Sequence, residues 1–69
     1  MNDMSNPSPA GGFGRLLKIE EVQLRTGLHR VTIYRRIAKG LFPKPFHPGA
    51  RASRWSEVEL DTWLRAQRE

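Results

Sequence analysis

Sixty-nine residues with a net charge of +5, two His and no Cys allow one small domain and exclude disulfides and thiolate metal sites. Burial at this length is limited, so an extended catalytic cleft is hard to build beside a packed interior. No apolar run approaches the roughly 20 residues that span a bilayer, and the N-terminus lacks the basic and apolar regions of a signal peptide, so the expected location is the cytoplasm, with no membrane partner.

Residues 1–14 contain Asn6-Pro7-Ser8-Pro9 and Gly11-Gly12, with Met4 and Phe13 as the sizeable apolar side chains. Such a stretch buries too little to order itself. Residues 1–14 are therefore expected to form a disordered arm and residues 15–69 the folded domain. The arm has no Lys or Arg, which makes it a poor grip for a polyanion.

Leu16, Leu17 and Ile19 form an apolar lead-in to a first helix expected from Ile19 to Thr26. Glu20 and Glu21 in its first turn suit the positive end of the helix dipole, and Val22 is the expected core residue. Arg25 complements the negative end while standing close to the next turn. It could either cap the helix or touch a phosphate of a polyanionic partner.

The chain is organised around Thr26-Gly27-Leu28-His29-Arg30-Val31-Thr32-Ile33-Tyr34-Arg35-Arg36-Ile37. Gly27 supplies the left-handed conformation that stops one helix abruptly, and the residues after it recur at helical spacing. Wound at roughly 100° per residue, Arg30 to Lys39 puts Ile33, Tyr34 and Ile37 on an inner stripe and Thr32, Arg35 and Lys39 on an outer one. Val31 and Arg36 flank the two. Lys39-Gly40-Leu41-Phe42 reads as a C-cap with an apolar plug in Phe42, and Pro43 and Pro45 forbid continuation.

Residues 46–55 read as a short hairpin, a wing, with Pro48-Gly49-Ala50 at its tip. The prolines restrict its first strand to an edge. Ser56-Glu57-Val58-Glu59 is a capping box, in which the Ser56 hydroxyl accepts from the Glu59 amide while the Glu59 carboxylate reaches back. The last helix then carries Leu60, Trp63, Leu64 and Gln67 along one stripe, with Arg65 and Arg68 near its end. Trp55 and Trp63 are expected to be the largest contributors to the core rather than platforms for a base.

Thr26-Gly27-Leu28, Thr32-Ile33-Tyr34-Arg35, Gly40 and Phe42-Pro43-Lys44-Pro45, with Trp55 and Trp63 flanking Glu59-Leu60-Asp61, resemble the AlpA family of phage-type regulators. These are small relatives of the MerR-like winged helix-turn-helix proteins. The resemblance runs from about Leu16 to Leu64. It departs at His29, where the family usually has Ser, and His is not among the preferred N-cap residues. The expected fold is mainly α with a small β-hairpin: a winged helix-turn-helix of about three helices.

The acidic residues leave a gap that points the same way. None lies between Glu21 and Glu57, an interval that holds Arg25, Arg30, Arg35, Arg36, Lys39, Lys44, Arg51 and Arg54. A surface shaped by solubility alone mixes its signs, so this block favours a polyanionic partner. Arg35 is the first candidate for a base contact, since a guanidinium bonds both acceptors of a guanine edge. Thr32 can meet a base or a phosphate, Val31 a thymine methyl, and the Tyr34 hydroxyl a phosphate at the rim. Arg30, Arg36 and Lys39 suit phosphates, as do Arg51 and Arg54 of the wing, with His47 a weaker candidate.

Catalysis has little to stand on. His29 and His47 lack ligand partners at metal spacing, Ser53 and Ser56 lack an activating base, and no Gly-rich phosphate loop is present. No cofactor is implied.

The expected function is sequence-specific binding of double-stranded DNA, with the resemblance implying transcriptional control of a prophage or integrative element in the cytoplasm, at the nucleoid. An excisionase-like architectural role beside an integrase is the alternative within DNA binding. A protein-interaction adaptor docking an acidic partner is the alternative outside it. The short last helix has no heptad extension, so a monomer or weak dimer that binds cooperatively on DNA is expected.

Overall fold

Each helix starts and stops where side chains or turns satisfy its unpaired backbone groups. The computed structural model describes residues 13–50 and 52–68. In chain order these form β1 (Leu16–Leu17), α1 (Ile19–Thr26), α2 (Arg30–Ala38), a 3-10 turn at Pro48–Ala50, β2 (Trp55–Ser56) and α3 (Glu57–Gln67). Three helices and a two-stranded antiparallel sheet make a mainly helical fold consistent with a winged helix-turn-helix. No helix among the described residues is long and apolar enough to cross a membrane.

α1 ends at Gly27, whose φ of 74° lets its N–H turn back to the Gln23 carbonyl at 2.8 Å. The turn is tight because Thr26 fills it: the Thr26 hydroxyl donates to the Val22 carbonyl at 2.8 Å, and the same oxygen accepts from the Leu28 N–H at 3.1 Å. α2 then begins on two borrowed acceptors. His29 Nδ1 accepts from the Val31 N–H at 3.1 Å, and Gln23 Oε1, reaching across from α1, accepts from the Arg30 N–H at 2.8 Å. His29 is thus a working N-cap despite its low preference for that position, and Gln23 reinforces it.

α2 stops one residue before the expected Lys39, which serves as its C-cap. The stop is a Schellman turn: Gly40, at φ 73°, donates to the Ile37 carbonyl at 3.0 Å, and Leu41 donates to the Arg36 carbonyl at 2.8 Å. α3 begins with the hydroxyl half of the expected capping box, Ser56 Oγ accepting from the Glu59 N–H at 3.1 Å. The Ser56 proton goes the other way, to the Phe13 carbonyl at 2.7 Å.

Each helix and each strand contributes one buried apolar side chain, and the connection after α2 adds another. Leu17 of β1, Val22 of α1, Ile33 of α2, Phe42 of the connection, Trp55 of β2 and Leu60 of α3 form the core, with Ile19, Leu28, Ile37, Trp63 and Leu64 packed partly buried against it. Val22 and Phe42 sit where their sequence positions put them. The two tryptophans differ. Trp55 is wholly buried and its indole N–H donates to the Pro43 carbonyl at 3.0 Å, whereas Trp63 lies at the rim, its ring tilted against Phe42 at 4.6 Å and its N–H on the Leu41 carbonyl at 3.2 Å. Gln67, expected on the inner stripe, is exposed and donates to the Trp63 carbonyl.

The strands are not the pair expected. The hairpin of residues 46–55 reduces to a single bridge, in which Phe46 and Arg54 exchange both backbone bonds at 2.6 and 2.8 Å. The next rung toward the tip would need an N–H at Pro48, which has none. Its partner strand is found elsewhere: Leu16 and Leu17, expected only as a lead-in, pair with Ser56 and Trp55. Phe13 and Gly14, assigned to the arm, belong to the same assembly, Phe13 resting 4.9 Å from the Phe46 ring. Residues 1–12, the rest of that arm, lie outside the described residues.

Candidate nucleic-acid interface

α2 presents a divided surface. Ile33 is fully buried and Ile37 partly, while Val31 is 53% exposed and Arg30, Arg35 and Lys39 are exposed, so the helix packs on one side and leaves cations on the other. Thr32 and Arg36 are half-buried at the flanks of this face, Thr32 less open than its outer-stripe assignment implied. Tyr34 departs from the inner stripe. It is 43% exposed, its ring leaning on Trp55 at 6.0 Å.

The Tyr34 hydroxyl faces the wing, 3.5 Å from Ser53 Oγ, which in turn lies 3.1 Å from His47 Nε2. This chain of three polar groups ties the exposed edge of α2 to both arms of the loop that follows it. Arg54, half-buried, folds back so that its guanidinium donates to the Ser53 carbonyl at 2.9 Å. The tip is drawn tight by two successive residues of positive φ, Gly49 and Ala50, both at 60°. Arg51, the other cation expected on the wing, lies outside the described residues.

Arg25 is occupied. Its guanidinium donates to Glu21 at 3.1 Å and Glu57 at 2.9 Å, with Asp61 at 3.8 Å, and so joins α1 to the start of α3. Hydrogen bonds that Arg25 donates to Glu21 and then to Glu57 raise the Arg25 pKa, and the bond from Arg25, opposed by desolvation and aided by the nearby Arg15, holds Glu57 below its ordinary carboxylate value. Arg25 thereby ties its own helix, through Glu21, to the start of α3, through Glu57.

Arg30 is paired more loosely, its guanidinium 3.6 Å from the exposed Glu20 carboxylate. A surface pair at that distance is weak and exchanges readily for a stronger anion. Beside it, Lys18, Ile19 and Glu20 at the start of α1 face Tyr34 and residues 52–54 across an open cleft of about 430 Å³. Lys18 and Ser53 were not among the site residues read from sequence. The available signal for Lys18 is faint: a single lysine just ahead of a helix whose first turn is acidic. Among the described residues, no group of three His, Cys, Asp or Glu side chains is placed to hold a metal ion.

Comparison with known proteins adds to this geometry. Residues 15–68 match the family described as prophage CP4-57 regulatory protein (AlpA). The chain is also similar to the uncharacterized protein ORF88 of Enterobacteria phage P4, at 38% identity over 50 residues. That match covers 72% of this chain and 57% of the phage protein, so the chain spans little more than half the length of the curated relative. No solved structure matches it.

Proposed function

Because this chain belongs to the AlpA family of prophage regulatory proteins, we propose that it binds double-stranded DNA sequence-specifically and regulates transcription of a prophage or integrative element. One observation carries this reading. The outward face of α2, bearing Arg30, Val31, Arg35 and Lys39, is exposed and free of acidic side chains, while the opposite face is locked into the core through Ile33. A rigid helix with cations and short side chains on its free face suits the major groove, where Arg35 would read a guanine edge and Thr32 and Val31 its neighbours. Arg36, Lys39, Arg51 and Arg54 then serve as phosphate contacts that fix register.

The test is a selection of bound genomic fragments followed by titration of the best site and of a scrambled duplex. Arg35→Ala should weaken the best site by about 1–3 kcal/mol and leave the scrambled duplex nearly unchanged. An equal loss on both would make Arg35 a phosphate clamp, and no binding to either would end the DNA reading. Selected fragments clustering at attachment sites rather than promoters would favour the architectural role.

A single module of this kind buries only about 600–1,000 Å² on DNA, thin for selective occupancy. We therefore propose that copies bind adjacent half-sites cooperatively, from a monomer or weak dimer in solution. Sedimentation of the free protein should show little dimer, and paired half-sites should bind more tightly per site than single ones. A tight dimer without DNA, or equal affinities, would sink this assembly.

A further inference from the structure

We propose that the cleft between the start of α1, Tyr34 and residues 52–54 holds one phosphodiester group of the DNA backbone, bound by the Lys18 ammonium and the hydroxyls of Tyr34 and Ser53. This deepens the DNA-binding reading and rests on it.

The argument begins with proton placement. Tyr34 Oη and Ser53 Oγ are 3.5 Å apart, at the outer limit of a hydrogen bond, so the Tyr34 proton is held weakly and is available to a better acceptor. Ser53 Oγ is 3.1 Å from His47 Nε2. In the tautomer where Nε2 carries the proton, His47 donates to Ser53, and the Ser53 proton is left for another acceptor. Two hydroxyl donors then line the same cleft as Lys18, whose ammonium carries three more. Such a donor set calls for an acceptor-only ligand, which a phosphate oxygen is.

Charge around the cleft agrees. Lys18 and Arg54 both line it, Arg54 tethered to the Ser53 carbonyl at 2.9 Å. Glu20 is its one acidic lining residue, and that carboxylate lies 3.6 Å from Arg30. The remaining lining residues, Ile19 and Ala52, are uncharged. An open cleft of about 430 Å³ admits a phosphate still joined to its chain on both sides. Free inorganic phosphate shares the chemistry, but DNA presents its phosphates in a row already aligned by the contacts of α2.

Salt titrations of a mixed-sequence duplex against the full chain and its variants test the assignment. Lys18→Ala should lower the slope of log affinity against log salt by about one unit. Tyr34→Phe and Ser53→Ala should each weaken binding roughly three- to ten-fold, the loss expected for one hydrogen bond, with parental slope and parental melting temperature. Ser53→Thr, which restores the hydroxyl, should recover the affinity. Should the parent bind duplex while Lys18→Ala keeps its slope, or while Tyr34→Phe and Ser53→Ala bind as the parent does, the cleft is not a phosphate site and the DNA reading stands without it. A parent that fails to bind duplex removes both. In a second arm, inorganic phosphate is added at matched ionic strength while the amide signals of residues 18, 34 and 53 are followed. Saturation there combined with unaltered duplex binding by the variants would assign the cleft to a free anion and overturn the proposal.

Discussion

His29 shows how a residue of low average preference becomes a cap when its surroundings leave it an amide to meet. Nδ1 accepts from Val31, and Gln23 covers the neighbouring Arg30 N–H, so the start of α2 has two of its orphan donors satisfied by side chains. Removing one acceptor leaves the other in place. His29→Ala should therefore cost only about 0.5–1 kcal/mol, the low end of N-cap losses, whereas His29→Ser should match or exceed the parent in a thermal melt. A large loss for His29→Ala together with no recovery in His29→Ser would mean that the imidazole acts by packing. Gln23 was invisible to sequence reasoning because its use depends on two helices meeting at the turn, and an exposed-looking glutamine inside a helix carries no mark of that meeting.

At the level of elements, α1 and α3 are joined by the Arg25 guanidinium between Glu21 and Glu57, and this tie has a pH signature. The folded state depresses the Glu57 pKa, chiefly through the Arg25 hydrogen bond. A depressed carboxylate contributes stability that is fully present above its unfolded value, about pH 4, and that is lost as pH falls through the lower folded value. Acid denaturation should thus include a component below about pH 4 that Glu57→Gln removes, while the two proteins differ by a constant amount near neutrality. Parallel stability curves across the acid range would show that the tie contributes nothing.

The helices were legible in the sequence because their signals are local. Gly27, Gly40 and Ser56 each mark a boundary within a few residues, and α1 runs from Ile19 to Thr26 as expected. The sheet was not, since a strand of two residues has no period to detect and β1 meets β2 across most of the chain. The Arg25–Glu57 bond spans 32 positions and was hidden for the same reason. The basic face of α2, by contrast, followed from spacing alone, and only Tyr34 and Thr32 shifted from the sides assigned to them.

For the whole molecule, a core with one buried apolar side chain per helix or strand has little redundancy, and the two tryptophans should respond differently to truncation. Trp55→Ala removes a wholly buried indole and its bond to Pro43, a loss of about 3–5 kcal/mol that is comparable to the entire stability of a domain this small. Trp63 is only partly buried, so Trp63→Ala should cost about 1–2 kcal/mol and leave a folded, melting domain. Equal melting curves for the two variants would refute this ranking. The closure of β1 on β2 also bears on how the domain is made. Leu17 cannot meet Trp55, nor Phe13 the Ser56 hydroxyl, until the late part of the chain has been synthesised and has left the ribosome. The helix-turn-helix can gather beforehand, but its core lacks a wall until then. Folding of this domain is therefore completed after translation of α3 and not progressively alongside it.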